Sequence, residues 1–278
     1  MVILRAPGFP QWTQIGQDSG LDPLGMQRPV EVLFQSLVPG ISTITLRLRY
    51  YSFFAWVLEA FAKVEQKNDP RAFNTFHRRA EVLLALASAR EGSEVGVTGI
   101  DWAWRRLSEA GEDEDNGQVI AFDLAAAPDA PLEDRYLRNK GGAFGAIYST
   151  QMYDMDLVEL YDEDIGIPYC TSAALLPLAE SFEEAVGSRS GEFLEALNDG
   201  KASLSQLDDL AVFLPSRVEP GSTEQAALVD ALLGRLGKAS IENARRRETL
   251  RLVLARAEAA AKRPRTEELK WEFFELAD

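Results

Sequence analysis

A mainly α-helical fold with one small β-hairpin is predicted for this chain, on three observations. Apolar residues recur at three- and four-residue spacing over long stretches, the period of a helix with one buried face. Helix start and stop signals bracket those stretches, as in Asp69-Pro70 with Gly92, and Ser222 ahead of Gln225. Only two short stretches, near Val119 and from Ile165 to Thr171, read as extended.

The elements follow in order. Residues 1–28 are rich in Gly, Pro, Gln and Asp and read as an extended arm. "RPVEVLFQSLVPG" reads as a short helix, with Pro29 in its first turn and Pro39-Gly40 as its stop. "VPGISTITLRLRYYSFF" is ambiguous. Ile44, Leu46 and Leu48 alternate like a strand, while Ile44, Leu48, Tyr51 and Phe54 share a helical face that continues to Leu58 and Phe61. The longer period favours a buried central helix from about Thr43 to Gln66, capped by Ser42. Arg47 and Arg49 then point to different sides of it, about 200° apart, and one of them makes an internal polar contact.

A helix follows over "PRAFNTFHRRAEVLLALASARE", capped by Asp69 and closed by Gly92, with Phe73, Phe76, Val82, Leu83 and Leu86 on its apolar side. A short one over "GIDWAWRRLSEAG" carries Trp102 and Leu107. "QVIAF" is a candidate strand. "GGAFGAIYSTQMYDMDLVEL" reads as a helix broken near Asp154, "YDEDIGIPYCTS" as a turn and strand, and "TSAALLPLAESFEEAVG" as a helix capped by Thr171 or Ser172. The remainder is helical: "SGEFLEALNDG", "SLSQLDDLAVFLP" with Ser203 or Ser205 as cap, "STEQAALVDALLGRLG", the long "ASIENARRRETLRLVLARAEAAAKRP" stopped by Pro264, and a last helix over "TEELKWEFFELAD". Soft boundaries near Gly111–Asp134 and Gly187–Gly191 divide the chain into an arm (1–28), a helical domain (29–110), a middle unit (111–187) and a C-terminal helical domain (188–278).

Composition narrows the function. There are 44 acidic and 29 basic residues, a net charge of −15, which on average repels a nucleic-acid backbone. The single cysteine, Cys170, allows no intramolecular disulfide and suits a reducing cytoplasm. The opening "MVILRAPGFPQW" has too short an apolar run for a signal peptide, and no stretch has the ~20 apolar residues of a membrane span. A cytoplasmic protein without membrane contact is expected.

The chain also lacks a recognisable catalytic signature. His77 is the only histidine and lies mid-helix, where a partly exposed side chain is the expected state; no serine sits in a nucleophile-elbow setting. Zinc sites needing several His or Cys ligands are excluded by count, while a carboxylate-bound magnesium remains arithmetically open. Glu268 and Lys270 in "EELKW", with Pro128-Asp129, match the spacing of a metal-dependent nuclease site, but they fall on a helix and a loop where that site needs strands. The acidic runs "EDED" (112–115) and "DED" (162–164) read as solvated loops. "KGGAFG", Lys140 to Gly145, precedes a helix, so its amides are placed to hold a phosphate, though without Walker spacing; glycine as helix-entry punctuation is the simpler reading. Cys170 reads as a buried structural residue. No cofactor motif is present.

Three basic clusters remain: Arg47 and Arg49; Arg245, Arg246 and Arg247; and Lys262, Arg263 and Arg265. The last two are candidates for phosphate contact if they share a face. Trp271, Phe273 and Phe274 form an apolar patch near the end of the sequence, a candidate partner-binding face.

Two segments carry a resemblance. "GLDPLGMQRPVEVLFQSLVPGISTITLRLRYYSFFAWVLEAF", with its Pro-Gly-x-Ser/Thr turn (Pro39, Gly40, Ser42) and Arg-Tyr aromatic helix (Arg49, Tyr50, Tyr51), resembles the opening of uncharacterised bacterial proteins encoded in phage-defence islands. "HRRAEVLLALAS" fits the same pattern. Residues 142–187 look like a degenerate winged-helix unit, a helix, a short wing at Ile165 to Thr171 and a second helix. Its Tyr148–Asp164 stretch is acidic, without the Arg or Lys of a base reader, so protein is its expected ligand. The resemblance implies a non-catalytic adaptor or structural subunit of an anti-phage defence complex, docking to an ATPase, helicase or nuclease, with DNA as a secondary partner. It transfers no catalytic residues. A metal-dependent nuclease and a DNA-binding regulator are the alternatives.

Overall fold

The structure, a computed structural model, describes residues 27–42, 44–45, 47–64, 69–92, 94, 96–110, 118–160, 168–170, 174–260 and 264–275. Among these, twelve α-helices dominate and strands are confined to two short antiparallel pairs, so the fold is mainly α. No helix among them is long and apolar enough to cross a membrane. The predicted N-terminal arm up to Met26 and both acidic runs, 112–115 and 162–164, lie outside the described residues.

Helix α1 spans Gln27–Leu37 and is followed by the Pro39-Gly40 turn. Gly40 has φ +77°, and a Cβ there would meet the Met155 side chain at 2.5 Å, so the turn needs glycine for both backbone and space. The central helix α2 runs over Arg49–Ala62 and is buried on every side. It therefore starts six residues later than Thr43, the expected start. Ser42 and Thr45 hydrogen-bond each other and the local backbone, with Thr45 Oγ1 donating to Ser42 O at 3.1 Å. Such short side-chain bonds compete with helix formation, and the β-branched residues here add to the effect. Ile44 is consequently exposed, not part of a buried helix face.

Helix α3, Pro70–Glu91, matches its predicted ends: Asp69 Oδ1 accepts from Arg71 N at 2.8 Å, and Gly92 closes the helix at φ +76°. Its second half is buried all round. Helix α4 (Ile100–Glu109) inserts Trp102, and strand β1 (Val119–Ala121) leads into the single turn α5 (Asp123–Ala126). The segment from Phe144 is a π-helical turn to Tyr148 that continues as α6 (Ser149–Asp154), where a plain helix was expected. Strands β2 (Val158–Leu160) and β3 (Pro168–Cys170) pair as a hairpin, in register Val158 with Cys170; β3 falls in the stretch read as extended, whereas Val158–Leu160 lies at the end of the stretch read as helix.

Leu175 holds the cap position of helix α7 (Leu176–Val186) without a side-chain bond; Thr171 and Ser172, the expected caps, lie outside the described residues. Helix α8 (Arg189–Asp199) ends at Gly200 and passes into β4, Lys201–Ser203. β4 was not anticipated. It pairs antiparallel with β1, Ile120 opposite Ala202, and so ties the predicted middle unit to the C-terminal one. Ser203 then caps α9 (Leu204–Asp209) in a full capping box with Gln206, and a 3-10 turn over Leu210–Phe213 follows. Helices α10 (Thr223–Leu232), α11 (Ile241–Ala259) and α12 (Thr266–Glu275) complete the described chain.

One hydrophobic core runs through α2, α3, the middle segment, α7, α8 and α10, crossing both soft boundaries without a break. Its centre is aromatic. Phe53 and Trp56 of α2 meet Phe182, Phe193 and Phe213, with Phe193 and Phe213 stacked at 4.4 Å. On the other side, Tyr50 stacks on Tyr148 at 4.9 Å, which the π-helical turn brings into place.

Candidate docking surface

Three arginines lie fully inside the protein, and each gathers carbonyls from segments distant in sequence. Arg49 pairs with Glu224 at 3.0 Å and donates to Val212 O and Leu214 O; its guanidinium also lies over the Phe182 ring. Ser52 donates to the same Glu224 carboxylate at 2.7 Å. The internal contact expected of Arg47 or Arg49 is thus made by Arg49. Arg78 donates to Ala126 O, Asn139 O and Lys140 O, with its cation over Tyr136. Arg246 donates to Leu232 O and Pro39 O and bonds Asn243 Oδ1.

The glycine loop "KGGAFG" does hold an anion, and that anion belongs to the protein. Glu81 is buried and accepts from Ala143 N at 2.7 Å, Phe144 N at 2.8 Å and Tyr136 Oη at 2.5 Å. Gly142 has φ +65°, and a Cβ there would lie within 3 Å of both Glu81 carboxylate oxygens, so the loop closes directly on the carboxylate. The amides that a phosphate could have used are therefore taken by Glu81, beyond the simple helix-entry role that is the favoured reading of the sequence. One turn of α3, residues 77–81, clamps the whole 139–144 segment.

His77 belongs to that clamp and is buried, which corrects the expectation of a partly exposed histidine. Nδ1 lies 2.9 Å from Phe73 O and Nε2 lies 3.0 Å from Gly141 O. Burial holds its pKa below the ordinary value of 6.5, with Glu81 opposing the shift. The unfolded chain then binds a proton at about pH 6.5 that the folded protein refuses. Stability from this group is complete above that pH and is lost as pH falls through the folded pKa. Urea unfolding at pH 7.5 and 5.5 is expected to show a loss at the lower pH that is smaller in His77→Gln.

The nuclease-type pair stands on α12, a helix. Glu268 Oε2 accepts from Arg265 N at 2.8 Å, and Lys270 bonds Glu267 at 3.0 Å. Asp129 pairs instead with Lys140. Among the described residues, no group of three or more His, Cys, Asp or Glu is placed to hold a metal ion. The Cys170 side chain lies outside the described residues.

Among the described residues of the basic clusters, the run Arg245–Arg247 does not present a common face. Arg245 is exposed, Arg247 is half-buried beside Glu248, and Arg246 is 0% exposed and committed to carbonyls. Arg246 is thus corrected from candidate nucleic-acid ligand to interior strut, because successive helical residues turn by about 100°. Arg265 is exposed; Lys262 and Arg263 lie outside the described residues, as do the side chains of Phe273 and Phe274. Trp271 is exposed on α12.

A surface that the sequence reading passed over is more informative. In α1, Val30, Leu33, Phe34 and Leu37 form an i, i+3, i+4, i+7 stripe, the stripe a helix ordinarily turns inward. Here it faces solvent, with Val30 and Leu33 more than 60% exposed. Ile44 and Leu48 are exposed just beyond it in sequence. α1 is tied to α11 where Thr249 Oγ1 donates to Leu37 O at 2.8 Å, and α11 itself exposes Leu252 and Leu254. The stripe was visible in "PVEVLFQSL"; which way it faced was not. No family model, curated protein or solved structure matches the chain.

Proposed function

We propose that the protein is a non-catalytic adaptor or structural subunit that docks through the apolar stripe of α1, within a bacterial anti-phage defence complex. The exposed Val30–Leu33–Phe34–Leu37 stripe carries this reading. Contiguous exposed apolar side chains on an otherwise polar helix mark a protein-binding face, and helix-face recognition uses this i, i+3, i+4, i+7 spacing. The defence setting is supported by the resemblance of residues 20–61 alone. An ATPase, helicase or nuclease is the partner class that the resemblance implies.

Co-expression with the ATPase, helicase or nuclease encoded beside its gene tests the proposal. A stable complex is expected, lost in Leu33→Glu/Leu37→Glu while the thermal midpoint of the isolated protein stays within a few degrees of wild type. Co-purification with none of them, or binding indifferent to the double substitution, would overturn it.

A further inference from the structure

Helices α11 and α12 are opposite in charge. α11, Ile241–Ala259, contains five basic and three acidic side chains, and α12, Thr266–Glu275, contains one basic and four acidic. Both helices also expose apolar side chains. From Arg251 to Ala255 every residue of α11 is exposed, including Leu252 and Leu254. Leu252 and Leu254 are 54% and 61% exposed, whereas Val253, on the side that faces Leu37, is 37% exposed. Trp271 of α12 is 63% exposed. The two helices belong to one chain, yet with α12 in place the leucines of its own α11 stay open to solvent.

We propose that α12 of one copy docks on the C-terminal half of α11 of a second copy, reciprocally, to form a two-fold dimer. Each docking sets an acidic helix bearing Trp271 against a basic helix bearing Leu252 and Leu254. Reciprocal docking about a two-fold axis engages both helices of both copies, so the assembly closes after two copies. Nucleic acid or an anionic membrane would match the arginines of α11 but would be repelled by the four acidic residues of α12, the next helix in the chain. The dimer is independent of the adaptor reading, and it leaves two copies of the α1 stripe available, so the assembly would be bivalent.

Sedimentation equilibrium of the full chain, alone and over a wide concentration range, tests the dimer. A dimer is expected that dissociates at least tenfold more readily in Leu252→Glu/Leu254→Glu. Arg251→Glu/Arg256→Glu leaves α11 with three basic and five acidic side chains, so both helices of a copy are acidic, and Glu267→Lys/Glu272→Lys gives α12 three basic and two acidic side chains, basic like α11. Each double variant alone is expected to be monomeric, and an equimolar mixture of the two is expected to restore a dimer. A wild-type protein that stays monomeric, or a dimer that survives both reversals, would sink the proposal. Because the mass is read without any partner, its failure leaves the adaptor reading untouched, and loss of partner binding through α1 leaves the dimer untouched.

Discussion

Glu224→Ala is expected to remove ~3–5 kcal/mol of unfolding free energy, the cost of leaving a buried arginine without its counter-ion. Both side chains of the Arg49–Glu224 pair are 1% exposed. The carboxylate faces Arg49 Nε with both oxygens, at 3.0 and 3.2 Å, and also accepts from Ser52. Without it, the guanidinium keeps its two carbonyl partners, Val212 O and Leu214 O, but loses its neutralising charge. Residue 224 is on α10 and residue 49 opens α2, so the loss is felt across the centre of the core. The double variant Arg49→Met/Glu224→Leu is expected to recover most of the deficit, because the cost lies in the stranded charge more than in the absent pair. Urea unfolding of the three proteins decides. A Glu224→Ala loss below about 1 kcal/mol, the range of an exposed pair, would mean that the charge is not sealed from water.

Glu81→Leu is the second large expected effect. It strands the N–H groups of Ala143 and Phe144 and the Tyr136 hydroxyl, all held by one carboxylate. At ~1–3 kcal/mol for each buried unsatisfied group, a total on the order of 4 kcal/mol follows. The damage is expected to be local first. Amide hydrogen exchange of Ala143 and Phe144 should accelerate by a hundredfold or more while the amides of α7 and α8 retain their relative protection. Uniform acceleration everywhere would show that the 139–148 segment is held by its aromatic contacts, Phe144 against Phe54 and Tyr148 against Tyr50, and not by the Glu81 clamp.

Particular residues show where sequence reasoning reached. Asp69, Pro70 and Gly92 delimit α3 as read, because capping is a contact within four residues of chain. The Pro39-Gly40 stop is local for the same reason, and of the β2–β3 hairpin only β3 was legible, since Val158–Leu160 reads as the end of a helix. The β1–β4 pair was half legible: Val119–Ala121 has a strand pattern, whereas Lys-Ala-Ser at 201–203 has none and is a strand only because β1 lies beside it. The glycine loop reads most simply as helix-entry punctuation, with anion holding as the lesser alternative, and nothing in Lys140–Gly145 names Glu81, some sixty residues earlier, as the anion. The candidate site divides in the same way. The stripe in α1 and the arginine run in α11 were both written in the sequence, and neither disclosed its direction.

By itself, then, the sequence determined the mainly helical class, the ends of α3, the supply of a single histidine and a single cysteine, and the charge reversal between residues 241–265 and 266–278. These follow from composition and from contacts a few residues long. Only the tertiary structure decided that Arg49, Arg78 and Arg246 are interior, that His77 is buried, and that the apolar stripe of α1 is left outside. Burial depends on which distant segments happen to surround a helix, and a periodic pattern defines a face without saying what, if anything, covers it.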